Sequence, residues 1–485
     1  MGKMKNFNNK RKIITGKKIF HASEGYLVIL FIFLAGLFLS GTSVVHAQTL
    51  ELTLDEAIQL GVKNSTTLES KRLAVEAARA EVQGARSSLY PQVSASASWT
   101  HLFEQPRTEE TTFYVGSTPV TVPGSYTAAS DPVSVSADLS QTIYSFGQIK
   151  NSVQMAARNV ELKQLEYQEE KRKLAVEIKK AFYGYLLATR MLELKLQTLD
   201  HKQQALDIAG RRYDAGVVSD YEVLKAEADL ASFRPELVSA RNEVEFSLLA
   251  IKDLLGIEDK KQIEVNLVGK LEPTFYNFSK KELVQKALSS RYEVVRMGKN
   301  LEISRLQEEL AQSKNKPTIA AFAGYTLRSG FDPQTGENKY WGEDSWDGDL
   351  SGGISVRMPV SSLFPWSKTE ADQKKAALDI RQLSLQLETL GCSIRLTIEN
   401  ILLRLEKERT KIESSRKAVQ AAEKLYNSSL ERYKKGVISS NELKDAQINL
   451  ASARLGYLSS IYNHKIALFD LMNAVGVEQF ERRKP

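Results

Sequence analysis

The sequence predicts a mixed fold, in which long α-helices of a coiled-coil barrel are joined to the strands of a membrane β-barrel. The main observation is an internal repeat: Glu56 to Pro91 aligns without a gap with Glu282 to Pro317, more than 200 residues later. Each half also has a long stretch without proline, at 133–234 and 366–484, which suits long helices. The repeat is far longer than a solenoid unit, so each half is a whole subdomain. We therefore expect two pseudo-repeats per chain.

Residues 1–47 have the pattern of a signal peptide. A basic start is followed by an apolar run of 14 residues, Tyr26 to Leu39, and Val45-His46-Ala47 puts small residues before Gln48. A membrane span needs about 20 residues, so an uncleaved anchor is the alternative. The segment contains seven basic residues and one acid, and therefore most of the net charge of +7. The mature chain is nearly neutral, and we expect no nucleic acid partner.

The composition gives no support to enzyme chemistry. Cys392 is the single cysteine, which excludes an intrachain disulfide, and we expect it to pack within a helix. The three histidines beyond residue 47 are not at metal-ligand spacing, and phosphate-loop, Gly-x-Ser-x-Gly and HExxH motifs are absent from the sequence. We therefore predict no catalytic residue, no cofactor and no metal.

The first repeat is predicted at 48–256 and the second at 277–476, with a linker at 257–276 and a C-terminal tail at 477–485. Each repeat begins with a short helix and ends with a helical hairpin. The predicted hairpin helices are 149–214 with a return helix at 220–255, and 368–434 with a return helix at 440–475. The seam of the first long helix follows coiled-coil spacing, at Leu174, Ile178, Ala181, Tyr185, Ala188 and Leu192.

Both long helices are predicted to end in the same way. A glycine in the left-handed conformation closes the helix, and a serine with a glutamate three residues later forms a capping box for the return helix. These residues are Gly216, Ser219 and Glu222 in the first repeat, and Gly436, Ser439 and Glu442 in the second. Pro235 is expected to kink or break the first return helix.

Four strands per chain are predicted, at 92–101, 132–143, 318–328 and 350–359. Apolar and polar residues alternate along them, and tryptophans lie at their ends or in the connecting loops. This pattern is typical of an outer-membrane barrel, and a soluble sandwich is the alternative. Four strands cannot close a membrane barrel, and open edges are not tolerated in lipid. The chain must then assemble: two copies supply eight strands and three supply twelve. The tryptophans are Trp99, Trp341, Trp346 and Trp366.

Three motifs resemble those of the TolC-like outer membrane factors of bacterial efflux pumps and type I secretion systems. They are the segment Leu52 to Ile58, the Arg-Tyr-x-x-Gly-Val-x-Ser turn at 212–219 and 432–439, and the segment Gln141 to Gly147. The resemblance implies a homotrimer with a twelve-stranded barrel in outer membrane lipid and a twelve-helix tunnel in the periplasm. It also implies two partners, a periplasmic adaptor protein and an inner-membrane pump or ABC exporter.

The chain departs from the family pattern at three places. Ser65-Thr66 and Arg291-Tyr292 stand where an Asn-Pro pair is often found, and Ile438 stands where some members carry an arginine. That arginine helps to lock the closed tunnel, so a gate bond at this position is in doubt.

The resemblance implies a passive export conduit for this chain. It places adaptor-docking tips at Gly216, Val217, Val218, Ser219, Gly436, Val437, Ile438 and Ser439, and a periplasmic gate at Tyr433, Glu442 and Asp445. Glu442 and Asp445 are three residues apart and share a helix face, so assembly would bring several carboxylates around one axis. A structural trimeric coiled-coil or surface-fibre protein without a channel is the alternative, and a periplasmic enzyme is a third.

Overall fold

A computed structural model describes residues 48–101, 110–123, 133–257, 263–332, 337–340 and 346–480. The signal peptide predicted at 1–47, and Trp341, lie outside the described residues. The chain divides into two units. One contains residues 1–50 and 261–264, and the other, which contains all the helices described below, is made of residues 51–260 and 265–485.

The helices form two series of matching length. The first series is α1 Leu54–Asn64, α2 Thr66–Ser87, α3 Gln148–Asp214 and α4 Asp220–Leu254. The second is α5 Lys280–Ser290, α6 Tyr292–Ser313, α7 Lys368–Lys434 and α8 Ser440–Val475. Both α3 and α7 have 67 residues.

The single short helix expected at the start of each repeat is wrong, because two helices are present there. Ser65 and Arg291 separate them with extended backbone, at ψ 117° and 127°. The Ser65 side chain accepts a hydrogen bond from the Leu68 amide and so caps α2. The break between the two helices is therefore formed without a proline.

Two antiparallel hairpins, α3/α4 and α7/α8, make up most of the structure, and α3 also packs against α8. One core lies where α5, α7 and α8 meet, around Ile394, Ile398 and Leu471. A second lies between the ends of the hairpins and contains Ile208, Tyr426, Tyr433, Leu443 and Leu450. Of the six predicted seam residues of α3, Ile178 and Ala188 are buried and the other four are half-buried.

The main sheet is antiparallel, with the strand order β2-β5-β7-β9. Its strands are β2 Gln92–Trp99, β5 Val133–Tyr144, β7 Thr318–Asp332 and β9 Trp346–Arg357. The prediction of four strands per chain is incomplete, because the described residues contain nine. The others are a β1/β6 pair (Gln48–Leu52 and Ile263–Leu267), a β3/β4 hairpin (Glu110–Val115 and Thr118–Pro123) and β8 (Glu337–Lys339), which pairs with β7.

Two single-residue expectations need correction. Helix α4 continues through Pro235 without a break. The proline leaves the carbonyl of Ala231 without its helical donor, and since both residues are exposed, water can satisfy that carbonyl. Cys392, expected to pack, is exposed on α7.

No described helix is long and apolar enough to cross a membrane.

Candidate functional site

The two hairpin turns share one backbone geometry. Gly216 and Gly436 have φ of +68° and +74°, a conformation that disfavours any residue with a Cβ. The amide of the next valine then bonds back five residues, from Val217 to the Arg212 carbonyl and from Val437 to the Arg432 carbonyl, both at 2.9 Å. These bonds satisfy carbonyls at the helix end, so the turn geometry follows directly from the glycine.

The predicted docking residues differ in exposure. Val217 and Val437 at the turns are 64% and 62% exposed, which leaves apolar side chains in water. Val218 and Ile438 are half-buried, and Ile438 packs against the core between the hairpin ends. Among these docking residues, the exposed apolar side chain at each turn is therefore a single valine beside a glycine and a serine. At the first turn, Tyr221 of α4 is also exposed, at 66%.

The capping box is present at only one of the two turns. Ser439 Oγ accepts from the Glu442 amide at 3.3 Å, and the Ser439 amide donates to Glu442 Oε2 at 2.8 Å. Ser439 Oγ also donates to Glu442 Oε2 at 3.0 Å. The backbone bond first, and the hydroxyl bond second, lower the pKa of the Glu442 carboxyl. Ser219 makes no side-chain cap, so the capping box predicted for the first repeat is wrong.

Tyr433, which is predicted to belong to a gate, lies between the two hairpins. It is buried, and the guanidinium of Arg212 from α3 lies 5.2 Å from the centre of its ring. Burial raises the pKa of the Tyr433 phenol. The Arg212–Tyr433 contact therefore ties α3 to α7 through a cation–π interaction.

Two further polar links join the hairpins, and the sequence analysis missed both. Lys225 Nζ of α4 donates to Asn441 Oδ1 of α8 at 2.5 Å, and Lys444 Nζ of α8 donates to Asp229 Oδ1 of α4 at 2.6 Å. Opposite charge gives a sequence signal only for Lys444 with Asp229, and the repeat alignment pairs Lys225 with Asp445 rather than with Asn441. Glu442 and Asp445 remain exposed on α8, outside these links.

The main sheet presents one polar and one apolar face. On the polar face, Ser96 and Ser98 are hydrogen-bonded to Ser136 and Ser134 across the strands, at 2.9 and 2.8 Å. The register places Asp138, Arg328 and Asp349 on the same side, with Arg328 Nη1 and Asp349 Oδ2 3.1 Å apart. The opposite face is exposed and apolar, with members that include Val93, Trp99, Val135, Tyr325, Leu350, Ile354 and Val356.

Glycines make room for larger side chains on this sheet. A Cβ at Gly348 would lie 2.5 Å from the Tyr325 hydroxyl, and one at Gly324 would lie 2.7 Å from Asp138 Oδ1. Phe322, which breaks the sequence alternation, lies on the polar side over Gly353. The apparent irregularity in the pattern of β7 is thus a cross-strand pairing of an aromatic ring with a glycine.

No group of three or more potential metal ligands occurs within the described part of the chain. Among the described ionisable groups at the hairpin ends, Glu442 caps α8, and Lys225, Lys444 and Asp229 form interhelical links. Their chemistry is therefore that of a polar, hydrogen-bonded helix end.

Comparison with known structures shows the fold. The CmeC outer membrane channel of Campylobacter jejuni is 17% identical, with a TM-score of 0.69 over 89% of this chain and 87% of that one. The open state of the Neisseria gonorrhoeae MtrE outer membrane channel is 17% identical, with a TM-score of 0.67 over 90% and 94%. VceC, an outer membrane protein of Vibrio cholerae, is 16% identical, with a TM-score of 0.68 over 87% and 96%.

Among curated protein sequences, none matches the chain. The family model described as outer membrane efflux protein matches residues 57–257 and 283–477, which together make up most of the chain. These two segments contain both hairpins, both turns and the main sheet. The chain belongs to the outer membrane efflux protein family.

Proposed function

We propose that three copies of this chain form a passive export conduit, with a twelve-stranded barrel in the outer membrane and a helical tunnel in the periplasm. The conduit serves a tripartite efflux pump or a type I secretion system and has no enzymatic activity. The observation that carries the proposal is the main sheet, whose apolar face is exposed and whose other face is lined by serines and aspartates. Such a sheet suits lipid outside and water inside.

The free edges of the sheet support assembly. In the described residues, β2 and β9 each pair on one side only. An unpaired strand edge in lipid leaves backbone polar groups without partners, at several kcal/mol each. Joining β9 of one copy to β2 of the next satisfies these groups, and three copies close a barrel wide enough for a water-filled lumen.

The helices support a ring rather than a two-fold dimer. The contacts α4–α3, α3–α8 and α8–α7 place α4 and α7 at opposite ends of a row. Both end helices expose apolar side chains, among them Phe246 and Leu249 on α4 and Leu396 and Leu403 on α7. Two different surfaces that cover each other make a head-to-tail contact, and such contacts generate a closed ring when the rotation between copies closes. Homotrimerisation would bury both rows of exposed apolar side chains, the stripe on α4 and the stripe on α7.

The two turns are the proposed adaptor-docking surface. Val217 and Val437 place exposed apolar side chains beside Gly216 and Gly436, and three copies would present six such turns. An apolar patch at a helix end suits packing against another helical hairpin. The partner is accordingly a periplasmic adaptor, which in turn contacts the inner-membrane pump or ABC exporter.

The same end of the hairpins is the proposed gate. Tyr433 with Arg212 holds α3 against α7, while Glu442 and Asp445 stay exposed on α8. In a trimer the two acids would supply six carboxylates around the tunnel axis, and such a ring attracts cations and repels anions.

The experiment that tests the function is conductance of the purified, detergent-extracted protein in planar bilayers. We expect a trimer by native mass spectrometry and discrete single-channel openings. A fibre protein or a periplasmic enzyme would give no channels. A monodisperse, detergent-free monomer of the mature chain would overturn the proposal.

A further inference from the structure

A groove between three helices lies next to the links at the hairpin ends. Helices α3, α4 and α8 of a single chain line it, and its cavity has a volume of about 410 Å³. Sites for small organic ligands typically have about 300–1,000 Å³. The groove is therefore large enough for a small molecule and too small for a helical hairpin.

The charges in the groove do not cancel. Lys195 Nζ lies 2.5 Å from Glu236 Oε2, and Lys444 Nζ lies 2.6 Å from Asp229 Oδ1. The third lysine of the lining, Lys202, forms no ion pair with any residue that the structure describes. Three lysines against two carboxylates leave one positive charge in the groove.

That remaining charge is partly desolvated. Lys202 is half-buried, and its Nζ lies 5.4 Å from the centre of the buried Phe233 ring. Burial lowers the pKa of Lys202, and Lys444 lowers it further, while Asp229 and Glu236 oppose the shift. A cation–π contact replaces only part of the lost hydration. A ligand anion would therefore be stabilised at this ammonium.

An apolar wall lies within the same groove. Ile448 of α8 is 53% exposed, and Met191, Leu194 and Leu455 line the groove with it, each only partly buried. Covering such side chains yields roughly 25 cal/mol per Å² of apolar surface. The groove thus combines an unpaired ammonium with hydrocarbon surface that a ligand could cover.

The second repeat shows that the hairpin does not need these residues. Counted from the aligned turns, Ala422 and Ala453 occupy the positions of Lys202 and Phe233. The α7/α8 hairpin packs with alanine at both positions. Lys202 and Phe233 are therefore special to the first hairpin.

We propose that this groove binds an amphipathic organic anion, with its carboxylate or sulfonate on the Lys202 ammonium and its hydrocarbon chain against Met191, Leu194, Ile448 and Leu455. An organic cation lacks a partner, because both carboxylates of the groove are already paired with lysines. The site is complete within one chain, so the proposal does not depend on channel function.

Binding of decanoate to the full-length mature protein in zwitterionic lipid nanodiscs tests the proposal. Calorimetric titration, with the signal of empty nanodiscs subtracted, should show a saturable site with one decanoate per chain. Decanol and decyltrimethylammonium have the same chain length and should show partitioning into lipid only. A saturable site with equal affinity for decyltrimethylammonium would overturn the proposal.

Variants locate the site. Lys202→Gln should weaken decanoate binding about tenfold or more, the usual effect of losing a hydrogen bond to a charged group, while Lys202→Arg should largely retain it. Ala451→Phe should fill the groove and abolish binding with Lys202 still present. Lys171→Gln, on an exposed lysine of the same helix, is the control. With unchanged trimer and melting temperature, unaltered affinity in Lys202→Gln or in Ala451→Phe would refute the site.

Discussion

The two return helices have nearly the same length but very different surroundings. Helix α8 packs against α7, α3 and α5 and buries fourteen residues between Leu443 and Val475. Helix α4 packs mainly against α3 and buries three, Phe233, Leu237 and Ile251. The same helical position is thus an interior element in the second repeat and a surface element in the first. The two repeats therefore share the helical hairpin but differ in how much of the return helix is buried.

The largest expected effect comes from the uncovered stripe of α4. Phe246→Asp with Leu249→Asp should abolish trimer assembly, because a charge buried in a subunit contact without a partner costs several kcal/mol. The matching positions of α8 are Ile466 and Phe469, which pack in the core, so the same changes there should prevent folding instead. Native mass spectrometry and circular dichroism separate the two outcomes. A trimer of normal stability carrying both α4 changes would contradict the head-to-tail ring.

The two turns should contribute equally to contact with the adaptor, whereas the two return helices differ in burial. Val217→Asp with Val437→Asp is expected to reduce export in cells at least tenfold, because charge disrupts an apolar helix-end contact. The single-channel conductance of the purified protein should stay unchanged. The isosteric pair Val217→Thr and Val437→Thr is the matched control. Full export with both aspartates in place would show that these turns do not contact the adaptor.

Neutralising the two acids of α8 tests whether only the second repeat faces the tunnel axis. Glu442→Gln with Asp445→Asn should lower cation selectivity and weaken block by trivalent cations in single-channel recordings, since both depend on the carboxylate ring. Glu222→Gln changes the matching glutamate of the first repeat and should leave both properties unaltered. Selectivity that does not respond to the α8 changes would place this face away from the constriction.

The buried histidine of α8 makes stability depend on pH. Burial lowers the pKa of His464 to about 4 from its ordinary value of 6.5, with a smaller contribution from Lys465 and Arg409. The unfolded chain then takes up a proton that the folded chain does not, so stability falls as pH falls from 6.5 towards 4, and the loss between pH 7 and pH 5 is about 2 kcal/mol. His464→Val, which copies Val244 of the first repeat, should flatten the dependence. Urea unfolding at pH 7 and pH 5 measures it, and an equal slope in both proteins would refute it.

The smallest effect distinguishes the two caps. Ser439→Ala should destabilise the protein by about 1 kcal/mol, because it removes the side-chain acceptor of the capping box. Ser219→Ala should change stability little, since Ser219 makes no side-chain cap. Urea unfolding of the two variants side by side measures the difference. Equal losses would mean that the two turns are capped alike.

The sequence identified local features best. The left-handed glycine and the following serine are local signals, and α3 and α7 end at Asp214 and Lys434, the residues where the helices were predicted to end. The sequence does not predict that two helices replace the single short helix of each repeat, because no proline directly follows Ser65 or Arg291. Whether a serine caps also depends on side-chain rotamers, which the shared Ser-x-x-Glu spacing does not fix.

Tertiary contacts were the harder part to predict. The Lys225–Asn441 and Lys444–Asp229 links join residues more than 200 positions apart, and the alignment pairs each of them with something else. The difference in burial between α4 and α8 is equally hard to predict, since both helices have a mixed composition and no strong amphipathic period. Helix α8 is covered because it packs against α3 and α5 in addition to its hairpin partner α7, whereas α4 packs mainly against its hairpin partner α3.

The equal length of α3 and α7 has a consequence for how this chain can change. At 1.5 Å per residue, 67 residues extend for roughly 100 Å, so both hairpins reach the same level. One inserted residue would turn everything beyond it by about 100° and move the coiled-coil seam off its partner. A seven-residue insertion would keep the seam yet raise one turn by about 10 Å above the other. We therefore expect an insertion or deletion to be tolerated only when all four helices, both arms of both hairpins, change by the same length.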